Sequence, residues 1–128
     1  MKLLLDTHAF LWLDNEPSRL SSTIQALCQD PETEMLISAV SIWEIQIKSA
    51  LGKLNLRRPL QQLLDDQMQV NALTVAPITV EHVFALDRLP SYHKDPFDRL
   101  IIAQAIVEDL TLASADLHVM KCPVALVW

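Results

Sequence analysis

Glycine is nearly absent: Gly52 is the only one in 128 residues. Loops that cradle phosphate through bare backbone need several glycines in close order, so the P-loop and the dinucleotide fingerprint are both excluded. Cysteine is scarce as well. Cys28 and Cys122 lie far apart and outside any zinc-ligand spacing, so two plain thiols are expected rather than a metal knuckle. There is no run of about 18 apolar residues, so no membrane-spanning helix is expected. The opening Met1-Lys2-Leu3-Leu4-Leu5-Asp6 is too short an apolar run for a secretory signal, and a cytoplasmic setting is expected. Positive charge is in deficit, ten Lys and Arg against sixteen Asp and Glu, for a net charge of −6. That disfavours a protein that coats nucleic acid through charge alone. It leaves open an enzyme whose acidic centre recruits cations and meets nucleic acid locally.

What is present is apolar residues in short runs. They make up 51% of the chain, enough for the core of one domain over residues 1–128. Leu3-Leu4-Leu5 reads as a buried parallel strand ending at Asp6, followed by a short helix over Ala9 to Leu13. A second helix is expected from Pro17-Ser18, with Ile24 and Leu27 on one face. Met35-Leu36-Ile37 reads as the next strand. Ser41-Ile42-Trp43-Glu44 has capping-box spacing, so a helix is expected from about Ser41, ending near Gly52. Further helices open at Pro59 and Thr79, and Leu73-Thr74-Val75 is strand-like. Asp95-Pro96 reads as cap and first residue of a helix that is apolar from Leu100 to Val107 except for Gln104. Leu110 to Ala113 and Val124 to Trp128 complete the strands. The alternation implies an α/β fold: a mostly parallel sheet of four to five strands with helices on both faces.

Four acids stand out by position. Asp6 ends the first strand, Glu44 lies in the first turn of the helix after the second, Asp98 lies in the first turn of the apolar helix and Asp116 ends a later strand. In a doubly wound sheet these points share one edge, so the four carboxylates converge. Each alone has an ordinary explanation: a helix cap for Asp6, a capping box or a Lys48 pair for Glu44, a helix-dipole contact for Asp98, a turn for Asp116. Gathered together they repel by about 4 kcal/mol per pair of unit charges 4 Å apart at an effective dielectric of 20. A hard divalent cation removes that penalty. An all-oxygen donor set suits Mg²⁺ or Mn²⁺, ions that serve phosphoryl chemistry.

Four stretches carry a resemblance: Leu4-Leu5-Asp6-Thr7-His8 with Leu11-Trp12; Ser38-Ala39-Val40-Ser41-Ile42-Trp43-Glu44-Ile45; His93-Lys94-Asp95-Pro96-Phe97-Asp98-Arg99-Leu100-Ile101-Ile102-Ala103-Gln104-Ala105; and Ser114-Ala115-Asp116. In order and spacing the chain resembles the PIN-domain ribonucleases, in particular the VapC-type toxins of type II toxin–antitoxin pairs. The resemblance implies a three-layer PIN sandwich and an endoribonuclease with Asp6, Glu44, Asp98 and Asp116 as catalytic and metal-binding residues. It also implies Mg²⁺ or Mn²⁺, an RNA substrate, homodimerisation and neutralisation by a cognate antitoxin.

Around the acids, Thr7, Asp95 and Ser114 are candidates for holding the carboxylates in place, with ordinary capping as the alternative for each. His8, Lys48, His93, Lys94 and Arg99 are candidates for RNA contact, and each could equally serve a structural hydrogen bond or ion pair. The helices from Ser41 and Pro59, with Trp12 and Trp43, carry apolar surface that either packs inside the domain or receives the antitoxin. Two other functions compete. A phosphoacceptor signalling domain would want paired acids after the first strand and a late lysine, whereas Asp6 stands alone and Lys121 is misplaced. A catalytically silent binding module would have no need of four acids.

Overall fold

A computed structural model describes residues 1–90 and 95–128. Five parallel strands form one sheet: β1 (Lys2–Leu5), β2 (Glu34–Ser38), β3 (Thr74–Ala76), β4 (Thr111–Ala113) and β5 (Leu126–Val127), in spatial order β3-β2-β1-β4-β5. The chain builds outward from β1 to β3, then crosses back to lay β4 and β5 on the other side. The connection therefore reverses between β1 and β4, where open α/β sheets form their binding crevice. Leu4 of β1 pairs with Leu36 on one side and Leu112 on the other, so the central strand is bordered by apolar residues in both directions.

The pleat sorts these strands into two cores. Leu3, Leu5, Met35 and Ile37 face a layer containing Phe10 and Leu11 of α1 (Thr7–Asn15), Ile24 of α2 (Ser22–Gln29) and Leu63 of α4 (Leu60–Val70). Leu4, Leu36 and Leu112 face Ile101, Ile102 and Ala105 of α6 (Pro96–Val107). Helix α3 (Ala39–Ala50) joins both, sending Ile45 to the first core and Val40 to the second. Gln104, the lone polar residue of the apolar run, is fully buried. Its Nε2 donates to the carbonyls of Ala76 and Pro77 at 3.1 Å each, tying α6 to the end of β3. α5 (Val80–Ala85) opens with a capping box in which the Thr79 N–H donates to Nδ1 of buried His82. The other ring nitrogen faces Glu108 at 2.8 Å.

Two sequence expectations shift, and one that the sequence left open is decided in part. Pro17–Arg19 is a 3₁₀ turn rather than the start of α2, which begins at Ser22 with the Ser21 hydroxyl accepting from Ile24 N–H. The Ser41–Glu44 capping box does not form. β2 passes directly into α3, the cap is Ser38 accepting from Val40 N–H, and Ser41 sits inside the helix. Much of the α3–α4 apolar surface is internal: Leu54, Leu56, Leu60 and Leu64 pack on the first core. Both cysteines are free thiols. No helix among the described residues is long and apolar enough to cross a membrane.

α3 stops at Gly52, whose φ of +73° lies in the left-handed region. The Gly52 N–H donates to the Ser49 carbonyl and the Lys53 N–H to Lys48, the paired bonds of a Schellman ending. A Cβ at Gly52 would meet nothing within 4 Å, so its cost is conformational alone. Gly52→Ala is expected to lower unfolding free energy by about 1 kcal/mol, read as a lower denaturant midpoint at unchanged m-value.

Candidate metal centre

The acidic side chains rise from the carboxyl edge of the sheet. Asp6 follows β1 and caps α1, its Oδ1 accepting from Ala9 N–H at 2.7 Å, while its own N–H extends the ladder to the Ala113 carbonyl. Asp116 stands three residues beyond β4, its N–H donating to Ser114 Oγ at 3.1 Å. The Ser114 hydroxyl also reaches the Asp6 carboxylate. Burial pushes the Asp6 carboxyl above its ordinary pKa. The bonds from Ser114 and Ala9 and the nearby His8 offset part of that rise, and Asp116 adds to it. Asp98 is the third residue of α6, behind Pro96. Asp6, Asp98, Ser114 and Asp116 wall one small cavity of about 40 Å³, with His8 at its edge and Ile101, Ile102 and Leu112 as its floor.

Glu44 comes in from α3. Because the helix begins at Ala39, Glu44 lies in the second turn, buried at 2% exposure. Thr7 Oγ1 lies 2.6 Å from Glu44 Oε1 and 3.0 Å from Ser41 Oγ, and Lys48 Nζ donates to the other carboxylate oxygen, Oε2. That bond, with Asp95 and Asp98 behind it, holds the Lys48 ammonium above its ordinary pKa against the cost of desolvation. Asp95 caps α6 with one oxygen, Oδ1, which accepts from Phe97 N–H at 2.9 Å and Asp98 N–H at 3.4 Å. It also does more than cap. One carboxylate oxygen from each of Glu44, Asp95 and Asp98 lies within 4.8 Å of the others.

The structure thus sets Asp98 at the junction of two groupings, with Asp6 and Asp116 on one side and Glu44 and Asp95 on the other. Asp95 joins as a potential donor beyond the quartet. Its signal in the sequence is the Asp-x-x-Asp spacing, which puts both carboxylates on the first turn of one helix. Among the RNA-contact candidates, His8 is exposed at the rim of the cavity. Lys48 is engaged by Glu44. Arg99 donates from its guanidinium to the carbonyls of Pro90 at 2.9 Å and Leu86 at 3.2 Å, which fastens the 3₁₀ turn Leu86–Arg88 to α6. His93 and Lys94 lie outside the described residues. Of the two adjacent arginines Arg57 and Arg58, Arg58 pairs with Asp14 and Asp66 and so braces α4 against α1.

An all-carboxylate set at the switch point of a parallel sheet, with neutral hydroxyls in support, fits a hard divalent cation. Fold and site together define a parallel α/β domain with an acidic cluster at its switch point. The chain belongs to the PIN domain family, whose model matches residues 3–121. It is 30% identical over 118 residues to Ribonuclease VapC22 of Mycobacterium tuberculosis, covering 89% of this chain and 86% of that one. Its fold is similar to that in the structure of VapBC2 from Rickettsia felis bound to a promoter DNA fragment, with a TM-score of 0.74 at 20% identity and coverage of 99% and 98%. It is also similar to that in VapBC-1 from nontypeable Haemophilus influenzae, with a TM-score of 0.64 at 14% identity and coverage of 99% and 97%.

The Glu44–Lys48 pair generates a stability test. Lys48→Met leaves a buried carboxylate with Thr7 as its remaining partner. The expected loss is about 2 kcal/mol of unfolding free energy, below the full cost of a buried pair because the lysine is partly in water. Chemical denaturation without divalent ions checks it.

Proposed function

We propose that this chain is a metal-dependent endoribonuclease, the toxin of a type II toxin–antitoxin pair. The observation that carries the reading is the convergence of Asp6, Asp98 and Asp116 on one cavity, with Glu44 and Asp95 against the same Asp98. Membership of the PIN family and likeness to a VapC ribonuclease support RNA as the substrate. Likeness to VapBC assemblies supports an antitoxin as the partner. A cytoplasmic setting is part of the same reading.

In this reading Asp6 and Asp98 would hold a Mg²⁺ or Mn²⁺ ion, and Glu44 and Asp116 would complete the site. When bound, the ion polarises the phosphodiester, activates water and steadies the leaving oxygen. The chain's own groups do the rest. Ser114 and Thr7 fix the rotamers of Asp6 and Glu44, so the carboxylates need not reorganise as charge develops. One carboxylate orients the attacking water and accepts its proton. His8, exposed at the rim, is placed to contact the RNA.

The antitoxin surface is assigned to the α3 side of the site. Trp43 is 58% exposed there, its ring edge-on to Phe97 of α6 at 5.2 Å between centroids, beside the Glu44–Asp95–Asp98 grouping. A chain laid over that aromatic pair would also close the acids to RNA. Homodimerisation is part of the same reading.

Purified, antitoxin-free protein is expected to cut a mixed RNA pool in Mn²⁺ or Mg²⁺ and to stop in excess EDTA. Asp98→Asn is expected to slow cutting by on the order of a hundredfold or more. Cleavage by the variant at the native rate would contradict the site.

A further inference from the structure

Beside the acids lies a second, open depression of about 510 Å³, walled by Asp6, His8, Trp12, Arg19 and Asp116. It shares Asp6, His8 and Asp116 with the small cavity, so the two adjoin. Its size falls within the range of small-ligand sites, about 300–1,000 Å³. The His8 and Trp12 rings stand 5.9 Å apart at 40°, and the Arg19 guanidinium lies over the Trp12 ring at 4.6 Å. Trp12 is braced from behind by Trp128, edge-on at 5.8 Å.

Resting on the ribonuclease reading above, we propose that this depression seats one unpaired nucleobase of the RNA beside the phosphate that is cut. The base stacks on the His8–Trp12 surface and Arg19 pairs the adjoining phosphate.

Three observations carry the assignment. First, the aromatic surface lines the same depression as Asp6 and Asp116. Second, Arg19 is an exposed cation that is only weakly held. Its other partner, Glu16, is an exposed ion pair at 3.5 Å, a contact of little strength, so the guanidinium can turn from Trp12 to a phosphate. Third, the chain carries a net charge of −6 and its centre is acidic, so a cation at this rim gives the RNA backbone a local landing point. Aromatic and guanidinium planes bind bases through their π-faces, which paired and stacked bases keep covered.

The test uses a fluorescein-labelled single-stranded RNA of about 12 nucleotides and its duplex, titrated by anisotropy against the full chain carrying Asp98→Asn to stall cleavage. The single strand is expected to bind at least about tenfold tighter than the duplex. Adding Trp12→Ala is expected to weaken single-strand binding by about tenfold, and Trp12→Phe to restore most of it. Arg19→Ala, at an exposed side chain that leaves folding intact, is expected to reduce the slope of log affinity against log salt by about 0.7, the share of one phosphate contact on a single strand. Equal binding of strand and duplex would overturn the proposal. So would unchanged affinity in a folded Trp12→Ala, or, should that variant not fold, an Arg19→Ala with unchanged affinity and salt slope. Trp12-dependent binding of single strands by a native chain that never cuts RNA would support the base seat while overturning the enzyme reading on which it was built.

Discussion

Carboxylates gathered at one edge of a sheet repel one another, and the surrounding structure is arranged to hold them there regardless. Asp6 and Asp95 are each pinned as helix caps, so backbone N–H groups compensate part of their charge. Glu44 is gripped by Thr7 and Lys48. Asp98 rides on a helix whose other end is fastened to β3 through Gln104. These supports are local and fixed, which is the condition for a site that must present charge without rearranging. They leave the grouping around Asp98 rich in negative charge, the state that a divalent cation relieves.

Lys48 bears on that balance. It reaches the buried Glu44 from one turn along α3, so this carboxylate already has a cationic partner. The other grouping, around Asp6 and Asp116, draws on the Ser114 hydroxyl, on backbone N–H groups and on the nearby His8. The two halves of the site are therefore chemically unequal, with Asp98 common to both.

Much of this was legible in the sequence because the signals are local. Leu3 to Leu5 and Met35 to Ile37 are too short and too apolar for anything but central strands. Asp95-Pro96 fixes the start of α6 through cap chemistry alone. Glu44 was harder. Ser41 and Glu44 have the spacing of a capping box, but β2 runs straight into α3, Ser38 takes the cap, and the helix starts two residues earlier than Ser41 suggests. That change of phase buries Ser41 against Thr7, a contact between residues 34 apart that no local pattern announces. The same limit hid the Trp12–Arg19 contact, which depends on a 3₁₀ turn bringing the arginine back over the ring. It also hid the structural duty of Arg99, whose carbonyl partners belong to another element. Asp95 as a neighbour of Glu44 depends on how α3 and α6 pack, which is tertiary information.

The central claim is that these carboxylates form one divalent-cation site. Its most direct test is the thermal melting temperature of the native chain and of Asp98→Asn, each in Mn²⁺ and in EDTA. A cation that binds only the folded state raises stability by RT ln(1 + [L]/Kd), which is about 2.7 kcal/mol at a concentration a hundredfold above Kd. The native chain should melt several degrees higher in Mn²⁺ than in EDTA, and Asp98→Asn should lose most of that difference. A native melting temperature that ignores Mn²⁺, or a variant that gains as much as the native chain, would contradict the account.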